Sequence, residues 1–215
     1  AYEKVGQVDR AIEAYKASIT RHNDNTLAYT NLGTIYHKQG LYDMAIEAYK
    51  QALTNNPYFP LSHNNLGNTY ERIGDSEKAL AEYREALKID DTYADAHNNL
   101  GAVYLKKGIQ DKALVEFQKA AQLNPDHRDA HYNLGIAYAG KGLYVEAIHE
   151  LNLAIKYNPT DYSAYRDLGI LYFTYKKDIK KSLYYLHESL RLTHDPVETE
   201  KVKEMIDAIK KGHVF

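Results

Sequence analysis

The chain of 215 residues contains no cysteine, which excludes a disulfide framework, a thiolate zinc site and a thiol nucleophile. It also has no excess of charge of either sign, because 27 basic residues are interleaved with 29 acidic ones and the formal net charge is −2. That balance gives no basis for binding nucleic acid or an anionic membrane surface. No apolar run approaches the roughly 18 residues that a membrane-spanning helix requires. We therefore expect no membrane span and no nucleic-acid partner.

What the sequence does contain is a repeat with a period of 34 residues. Two series of glycines and one series of tyrosines recur at this spacing: Gly6, Gly40, Gly74, Gly108 and Gly142; Gly33, Gly67, Gly101, Gly135 and Gly169; and Tyr2, Tyr36, Tyr70, Tyr104, Tyr138 and Tyr172. A fixed period of this size, kept in three registers, is typical of a solenoid.

Residues 94–127 illustrate one unit. Apolar residues recur at i, i+3, i+4 and i+7 in two stretches, which predicts two short amphipathic helices. Gly108 lies between them, where a helix end needs a positive φ that glycine adopts without a steric clash. Pro125 closes the unit, because proline cannot donate a hydrogen bond within a helix. Each unit is therefore predicted to be a helical hairpin.

The unit resembles the tetratricopeptide repeat (TPR), in which aromatic, Leu-Gly, Tyr, Ala and Pro residues recur at fixed positions from 4 to 32. Residues 26–59 match that pattern at eight places: Tyr29, Leu32, Gly33, Tyr36, Ala45, Tyr49, Ala52 and Pro57. The resemblance covers nearly the whole chain. It implies an all-α fold, a right-handed superhelical α-solenoid of tetratricopeptide helical hairpins. The motif is specific for this fold but not for one function.

The period predicts the division of the chain. We expect a partial first repeat at 1–25, complete repeats at 26–59, 60–93, 94–127 and 128–161, a divergent repeat at 162–195 and a C-terminal capping helix at 196–215. In the divergent repeat, Lys176 and Lys177 replace the turn glycine, and the second helix fits after about one inserted residue. The last helix carries one apolar stripe, Val202, Met205, Ile206 and Ile209. Terminal repeats need a polar outer face, which this helix provides.

The start of the chain falls inside the repeat pattern. Tyr2 occupies position 11 of a repeat whose earlier positions are missing, so we expect the chain to be part of a longer protein. No segment specifies a compartment, and a cytoplasmic location is favoured as an expectation.

No arrangement typical of an enzyme stands out. Residues 135–142 approximate a phosphate-binding loop, but no serine or threonine follows Lys141, and the segment lies in a predicted helix and its turn, without the preceding strand. The histidines at position 4, His63, His97 and His131, are one hairpin apart and cannot converge on a metal ion, so we interpret them as packing residues. We predict no enzymatic activity, no cofactor and no metal.

Asparagine occupies position 6 of four repeats, as Asn31, Asn65, Asn99 and Asn133. On a helical wheel, positions 2, 5, 6, 9, 12 and 13 lie opposite the core of their own hairpin. An asparagine amide offers a donor and an acceptor together, so it can pair with both halves of a peptide bond. In the family this resembles, the same stripe lines the concave groove of the superhelix.

We therefore predict a peptide-binding groove formed by amides and one phenol: Asn31, Asn64, Asn65, Asn68, Asn98, Asn99, Tyr132 and Asn133. The alternative for the position-6 amides is a bond to a neighbouring helix, which would satisfy the same polar groups. The sequence leaves both roles open.

The resulting functional prediction is a protein–protein interaction scaffold. It binds an extended or helical segment of a protein or peptide partner, whose identity the sequence does not specify, in the concave groove. One alternative is a self-assembling structural adaptor that forms homo-oligomers through exposed solenoid ends. Another is the targeting region of a larger enzyme whose catalytic domain lies outside this sequence.

Overall fold

The computed structural model describes residues 7–22 and 24–212, which form twelve α-helices and no strand. The prediction of an all-α fold built from short helices is confirmed. The chain divides into two compact units, residues 1–107 (unit 1) and residues 108–215 (unit 2), which are described separately. Tyr2 and Gly6, which begin two of the repeating series, lie outside the described residues.

Unit 1 contains six helices: α1 (Val8–Arg21), α2 (Thr26–Lys38), α3 (Tyr42–Asn55), α4 (Pro60–Arg72), α5 (Ser76–Ile89) and α6 (Ala94–Lys106). The pairs α2/α3 and α4/α5 are helical hairpins, and α1 packs on α2, α3 on α4 and α5 on α6. We call α2, α4 and α6 the first helices of their repeats, and α3 and α5 second helices. The first helices also contact one another, α2 with α4 and α4 with α6.

Unit 2 contains the other six: α7 (Gln110–Leu123), α8 (Arg128–Gly140), α9 (Tyr144–Tyr157), α10 (Tyr162–Thr174), α11 (Ile179–Leu192) and α12 (Pro196–Lys210). Here α8/α9 and α10/α11 are the hairpins. Helix α7 packs on α8, α9 on α10, and α11 on α12. In unit 2, α8 and α10 are first helices, and α7, α9 and α11 are second helices. The second helices α3, α5, α7 and α9 each pack on the first helix of the next repeat, whereas α11 packs on α12.

The helix ends follow from side chains at the turns. Asn25, Asp75 and Asp161 each accept a hydrogen bond from a backbone N–H in the first turn of the helix that follows, which satisfies a group with no partner inside the helix. Helix α2 ends at a glycine in the left-handed region, Gly40 at φ +75°. The Leu41 N–H then donates to the Tyr36 carbonyl at 2.9 Å, which closes a Schellman motif.

The turn of the divergent repeat uses a lysine where the others use glycine. Lys177 has φ +56° and is the non-glycine residue with positive φ among the described residues. The closing bond runs from the Asp178 N–H to the Tyr172 carbonyl at 2.9 Å, a span one residue longer than in α2. The inserted residue therefore lies in this turn, and the left-handed residue is retained at the cost of a Cβ clash.

Close packing inside each hairpin depends on glycine at position 8. A Cβ at Gly67 would lie 2.6 Å from the ring of Tyr83, and one at Gly135 would lie 2.8 Å from Leu151 Cγ. Tyr83 and Leu151 are almost completely buried. The absence of a side chain on the first helix therefore makes the space that the large residue of the second helix fills.

Helix α12 packs on α11 through the apolar stripe seen in the sequence. Val202, Ile206 and Ile209 form a buried cluster with Leu186, and Met205 lies at its edge. None of the described helices is both long and apolar enough to cross a membrane.

Candidate functional site

The first helices of unit 1 are joined by polar side chains on the side that carries repeat positions 5, 6, 9 and 12, which we call the first-helix face. Between α2 and α4, the buried hydroxyls of Thr30 and Ser62 lie 2.7 Å apart. On the same two helices, His37 Nδ1 lies 2.9 Å from Thr69 Oγ1. Because the Thr69 hydroxyl donates to the Asn65 carbonyl, His37 must be the donor in this contact.

Asparagine amides continue these contacts from helix to helix. Asn65 Nδ2 on α4 donates to Thr34 Oγ1 on α2 at 3.3 Å. One repeat later, Asn99 Nδ2 on α6 donates to Asn64 Oδ1 and to Asn68 Oδ1 on α4, both at 3.0 Å. We call Thr34, Asn64, Asn65, Asn68 and Asn99 the amide row. The same relation recurs, since position 6 donates to position 9 of the preceding repeat.

Tyrosines of the second helices hold the acceptors of the amide row in place. The Tyr49 hydroxyl donates to Thr34 Oγ1 at 3.2 Å, and the Tyr83 hydroxyl donates to Asn68 Oδ1 at 2.7 Å. Burial raises the pKa of Tyr49 to about 12, although the bond to Thr34 opposes the shift. Burial likewise raises the pKa of Tyr83, with the charge of Glu71 adding to the effect. Both phenols therefore stay protonated and act as donors.

The structure places the predicted groove residues at different depths. Asn64 and Asn98 are buried, with exposures of 3% and 7%. Both are interior residues, and Asn64 accepts a hydrogen bond from Asn99 of the next repeat. Neither is part of the proposed contact set. The others are partly exposed: Asn31, Asn65, Asn68, Asn99, Tyr132 and Asn133. That these bind a peptide stays a prediction.

Part of the hydrogen-bonding capacity of the amide row is left over. Asn99 uses both N–H groups of its amide on α4. Within residues 7–22 and 24–212, Asn68 Nδ2 makes no hydrogen bond, nor do the amide oxygens of Asn65 and Asn99 accept one. These groups lie on partly exposed side chains. The row thus presents both N–H groups of Asn68 and the second N–H of Asn65 beside carbonyl acceptors.

Sequence reasoning missed Thr34, Tyr49 and Tyr83 as parts of this site. A signal was present, because a polar residue at position 9 accompanies tyrosine at position 24 in two repeats, Thr34 with Tyr49 and Asn68 with Tyr83. In residues 128–161 the same two positions hold Ile136 and Leu151. Positions 9 and 24 therefore change together along the chain, from a polar residue with tyrosine to two apolar residues.

In unit 2, the first helices α8 and α10 are joined through a carboxylate. The Tyr132 hydroxyl on α8 donates to Asp167 Oδ2 on α10 at 3.0 Å. The neighbouring Arg166 donates to Asp167 Oδ1 at 2.9 Å and to Glu198 Oε2 on α12 at 2.7 Å. Burial raises the pKa of Asp167, against the opposing effect of Arg166. We call Tyr132, Asp167, Arg166 and Glu198 the charged chain of unit 2. The Tyr132 hydroxyl is therefore used in a hydrogen bond within the protein.

The position-4 histidines have structural partners, in agreement with their interpretation as packing residues. His63 Nδ1 lies 2.7 Å from Glu82 Oε2, and His63 Nε2 lies 3.1 Å from the Pro57 carbonyl. Both neighbours are acceptors, so both ring nitrogens must carry hydrogen for both bonds to form. His131 repeats the pattern with Glu150 and the Pro125 carbonyl, at 2.6 and 2.9 Å. Over the described residues, no cluster of His, Cys, Asp and Glu could hold a metal ion.

The geometry of His63 predicts that unit 1 loses stability as the pH rises from about 6 to about 8. Burial would lower the pKa of His63, but the hydrogen bonds to Glu82 and the Pro57 carbonyl outweigh it and raise the pKa above 6.5. The stabilisation is therefore complete below the unfolded pKa and is lost as the pH passes through the folded pKa. Urea unfolding at both pH values measures this loss.

His63→Phe is the control for this pH dependence, because it keeps an aromatic ring but cannot titrate. The change in unfolding free energy between the two pH values is expected to shrink in His63→Phe relative to the wild type. An NMR titration of the His63 imidazole should show the raised pKa directly. An equal pH dependence of the unfolding free energy in both proteins would contradict the assignment of this effect to His63.

The helical hairpins, their 34-residue period and the glycine packing define a class of proteins, the helical repeat scaffolds. Models described as "Tetratricopeptide repeat" match residues 26–59, 94–127, 48–81 and 111–169, and one described as "TPR repeat" matches residues 73–108. Together they span residues 26–169. The chain belongs to the tetratricopeptide repeat family.

Solved structures show the same fold. MamA is 28% identical with a TM-score of 0.64, covering 80% of this chain and 97% of its own. YrrB, described as a TPR protein with an unusual peptide-binding site, is 22% identical with a TM-score of 0.66, covering 90% and 99%. The APC/C hetero-tetramer Cut9-Hcn1 matches with 23% identity and a TM-score of 0.84, covering 94% of this chain and 40% of that chain. No curated protein matches the chain significantly.

The family supports a protein-interaction scaffold in general terms. The repeat family also favours a non-catalytic protein.

Proposed function

We propose that the chain binds an extended or helical segment of a partner protein on the first-helix face, and that in unit 1 the partly exposed amides of the row, Asn65, Asn68 and Asn99, contact the backbone of that segment. The observation that carries the proposal is the unused capacity of the row, the two N–H donors of Asn68 beside the amide oxygens of Asn65 and Asn99. A peptide bond needs one acceptor and one donor, which this row offers side by side.

The internal bonds of the row support its use as a binding surface. Tyr83 and Asn99 both bond to Asn68 Oδ1, which fixes the orientation of the amide and directs its nitrogen away from them. A donor that is already ordered loses little conformational freedom when a ligand binds. Basic and acidic residues flank the row, with Lys106 3.3 Å from Glu71, so the edge of the face is charged while its centre is neutral.

Asn68→Thr tests the contact without disturbing the packing. Threonine is the residue that α2 already uses at this position, where Thr34 Oγ1 accepts from both Tyr49 and Asn65. The substitution keeps an acceptor for Tyr83 and Asn99 but removes both outward N–H groups. Each lost hydrogen bond contributes about 0.5–1.5 kcal/mol, so a peptide should bind roughly tenfold more weakly.

The experiment uses a peptide selected by display against the whole chain and titrated by fluorescence anisotropy. Thr34→Asn is the matched control, since it adds the amide that Asn68→Thr removes and should not weaken binding. The unfolding free energy of Asn68→Thr should stay within about 0.5 kcal/mol of wild type. Equal peptide affinity in the wild type and Asn68→Thr would refute the amide-row contact.

A further inference from the structure

A cavity of about 510 Å³ opens in unit 1 on the side formed by the second helices and the turn that joins two repeats. Its walls are Leu53 of α3, Pro57 and Tyr58 of the turn, His63 of α4, and Glu85, Lys88 and Ile89 of α5. The Tyr58 side chain at the rim is 77% exposed. These residues are not part of the first-helix face, so the cavity is a separate site.

The same place in unit 2 shows what such a cavity accepts. The repeat of residues 128–161 has His131 where the earlier repeat has His63, and Tyr157 where it has Ile89. The Tyr157 ring stacks on the His131 imidazole, with ring centroids 5.7 Å apart and planes at 21°. Lys156 Nζ lies 4.8 Å from the centre of the Tyr157 ring and donates to its hydroxyl at 3.3 Å.

Unit 1 keeps the histidine, glutamate, proline and lysine of this place but has Ile89 where unit 2 has the ring. Its other walls differ, since Leu53, Tyr58 and Glu85 correspond to Ala121, Asp126 and Leu153 in unit 2. His63 is bound to Glu82 and the Pro57 carbonyl as His131 is bound to Glu150 and the Pro125 carbonyl. Lys88 occupies the repeat position of Lys156. Its ammonium is 3.3 Å from Glu85 in an exposed pair, an interaction weak enough to be exchanged for another.

We propose that this cavity binds an aromatic side chain of a partner protein, stacked on the His63 imidazole and covered by the Lys88 ammonium. A histidine whose ring nitrogens are both bonded presents a fixed flat face, and the lysine adds a cation above the ring. Leu53 and Ile89 supply the apolar sides. The cavity volume also accommodates atoms on either side of the aromatic residue, so the occupant is a chain segment with an aromatic anchor.

The probe is the blocked pentapeptide Gly-Gly-Trp-Gly-Gly. The chain contains no tryptophan, so tryptophan emission reports on the probe alone. Binding should shift this emission to shorter wavelength and move the His63 ring-proton resonances. A Gly-Gly-Tyr-Gly-Gly peptide should displace the probe, whereas Gly-Gly-Leu-Gly-Gly should compete at least tenfold less well.

Two reciprocal substitutions exchange the residues that differ between the units, Ile89 in unit 1 and Tyr157 in unit 2. Ile89→Tyr places a ring in the cavity as in unit 2, and should lower probe affinity at least tenfold. Tyr157→Ile empties the equivalent place in unit 2, and should raise the number of bound probes from one to two. Lys88→Ala removes the cation and should weaken binding roughly threefold. Circular dichroism melts confirm that each variant is folded.

Three results would overturn the proposal: undiminished probe binding to Ile89→Tyr, equal competition by the leucine peptide, or no saturable binding by wild type up to about 10 mM probe. If Ile89→Tyr does not fold, Tyr157→Ile decides, because an unchanged number of bound probes contradicts the assignment. A failure of the aromatic site leaves the amide-row contact intact, since Asn68→Thr does not alter any wall of this cavity.

Discussion

Replacing Asp167 by alanine is expected to reduce the free energy of unfolding by about 3 kcal/mol. Asp167 accepts hydrogen bonds from Tyr132 and Arg166, and its side chain is 14% exposed. Removing the carboxylate leaves the Tyr132 hydroxyl without its partner and the partly buried Arg166 with one acidic partner where it had two. We place the loss at the lower end of the range for broken buried pairs, because Glu198 still contacts Arg166 at 2.7 Å.

The effect should appear as a fall in melting temperature of about 6–12 °C, followed by circular dichroism. Asp167→Asn is the matched control, since an amide oxygen can still accept from one donor, and it should lose less than half as much. A double variant, Asp167→Ala with Arg166→Met, also removes the partly buried guanidinium that has lost one of its two acidic partners, and should recover part of the loss. If Asp167→Ala has the same melting temperature as the wild type, the charged chain does not stabilise unit 2.

Replacing Gly67 by valine is the second large effect, expected to reduce the unfolding free energy by about 3 kcal/mol. A Cβ at this position would lie 2.6 Å from Tyr83 Cε1, well inside contact distance. The tyrosine cannot swing aside without breaking its 2.7 Å hydrogen bond to Asn68. Valine adds two methyl groups beyond that Cβ, so the helices must move apart.

A second glycine separates steric from conformational effects. At Gly74, φ is +85° and an added Cβ would meet nothing within 4 Å, so Gly74→Ala should lose only the roughly 1–2 kcal/mol of a left-handed alanine. Combining Gly67→Val with Tyr83→Ala should lose less than the sum of the two single variants, because the clash is then absent. Additive losses in urea unfolding would show that the clash is not the cause.

Most of the fold could be predicted because its determinants are local and repeated. The glycines at 40, 74, 108 and 142 all have positive φ, as expected for residues that end a helix. The turn without a glycine was harder to predict in detail. An inserted residue was expected near Lys176 and Lys177, but the choice of Lys177 for the left-handed conformation depends on the backbone bonds around it.

The candidate site was less predictable, because its bonds join different repeats. A helical wheel places position 5 relative to its own hairpin, whereas Asn64 is buried by contacts with the next first helix and accepts from Asn99. The partner of Asn65 is Thr34, 31 residues away, and only the stacking distance between α2 and α4 brings the two together. The cavity beside His63 likewise depends on the absence of a ring at Ile89, which no single-repeat pattern indicates.

The pairing of position 6 with position 9 gives the amide row translational symmetry. Residues 60–93 carry both halves of the bond, since Asn65 donates backwards to Thr34 and Asn68 accepts forwards from Asn99. A copy of this segment placed after itself would meet a matching acceptor on one side and a matching donor on the other. The number of these segments can therefore change without interrupting the row. Duplication or deletion of one whole segment in the gene leaves no unpaired amide at the junction.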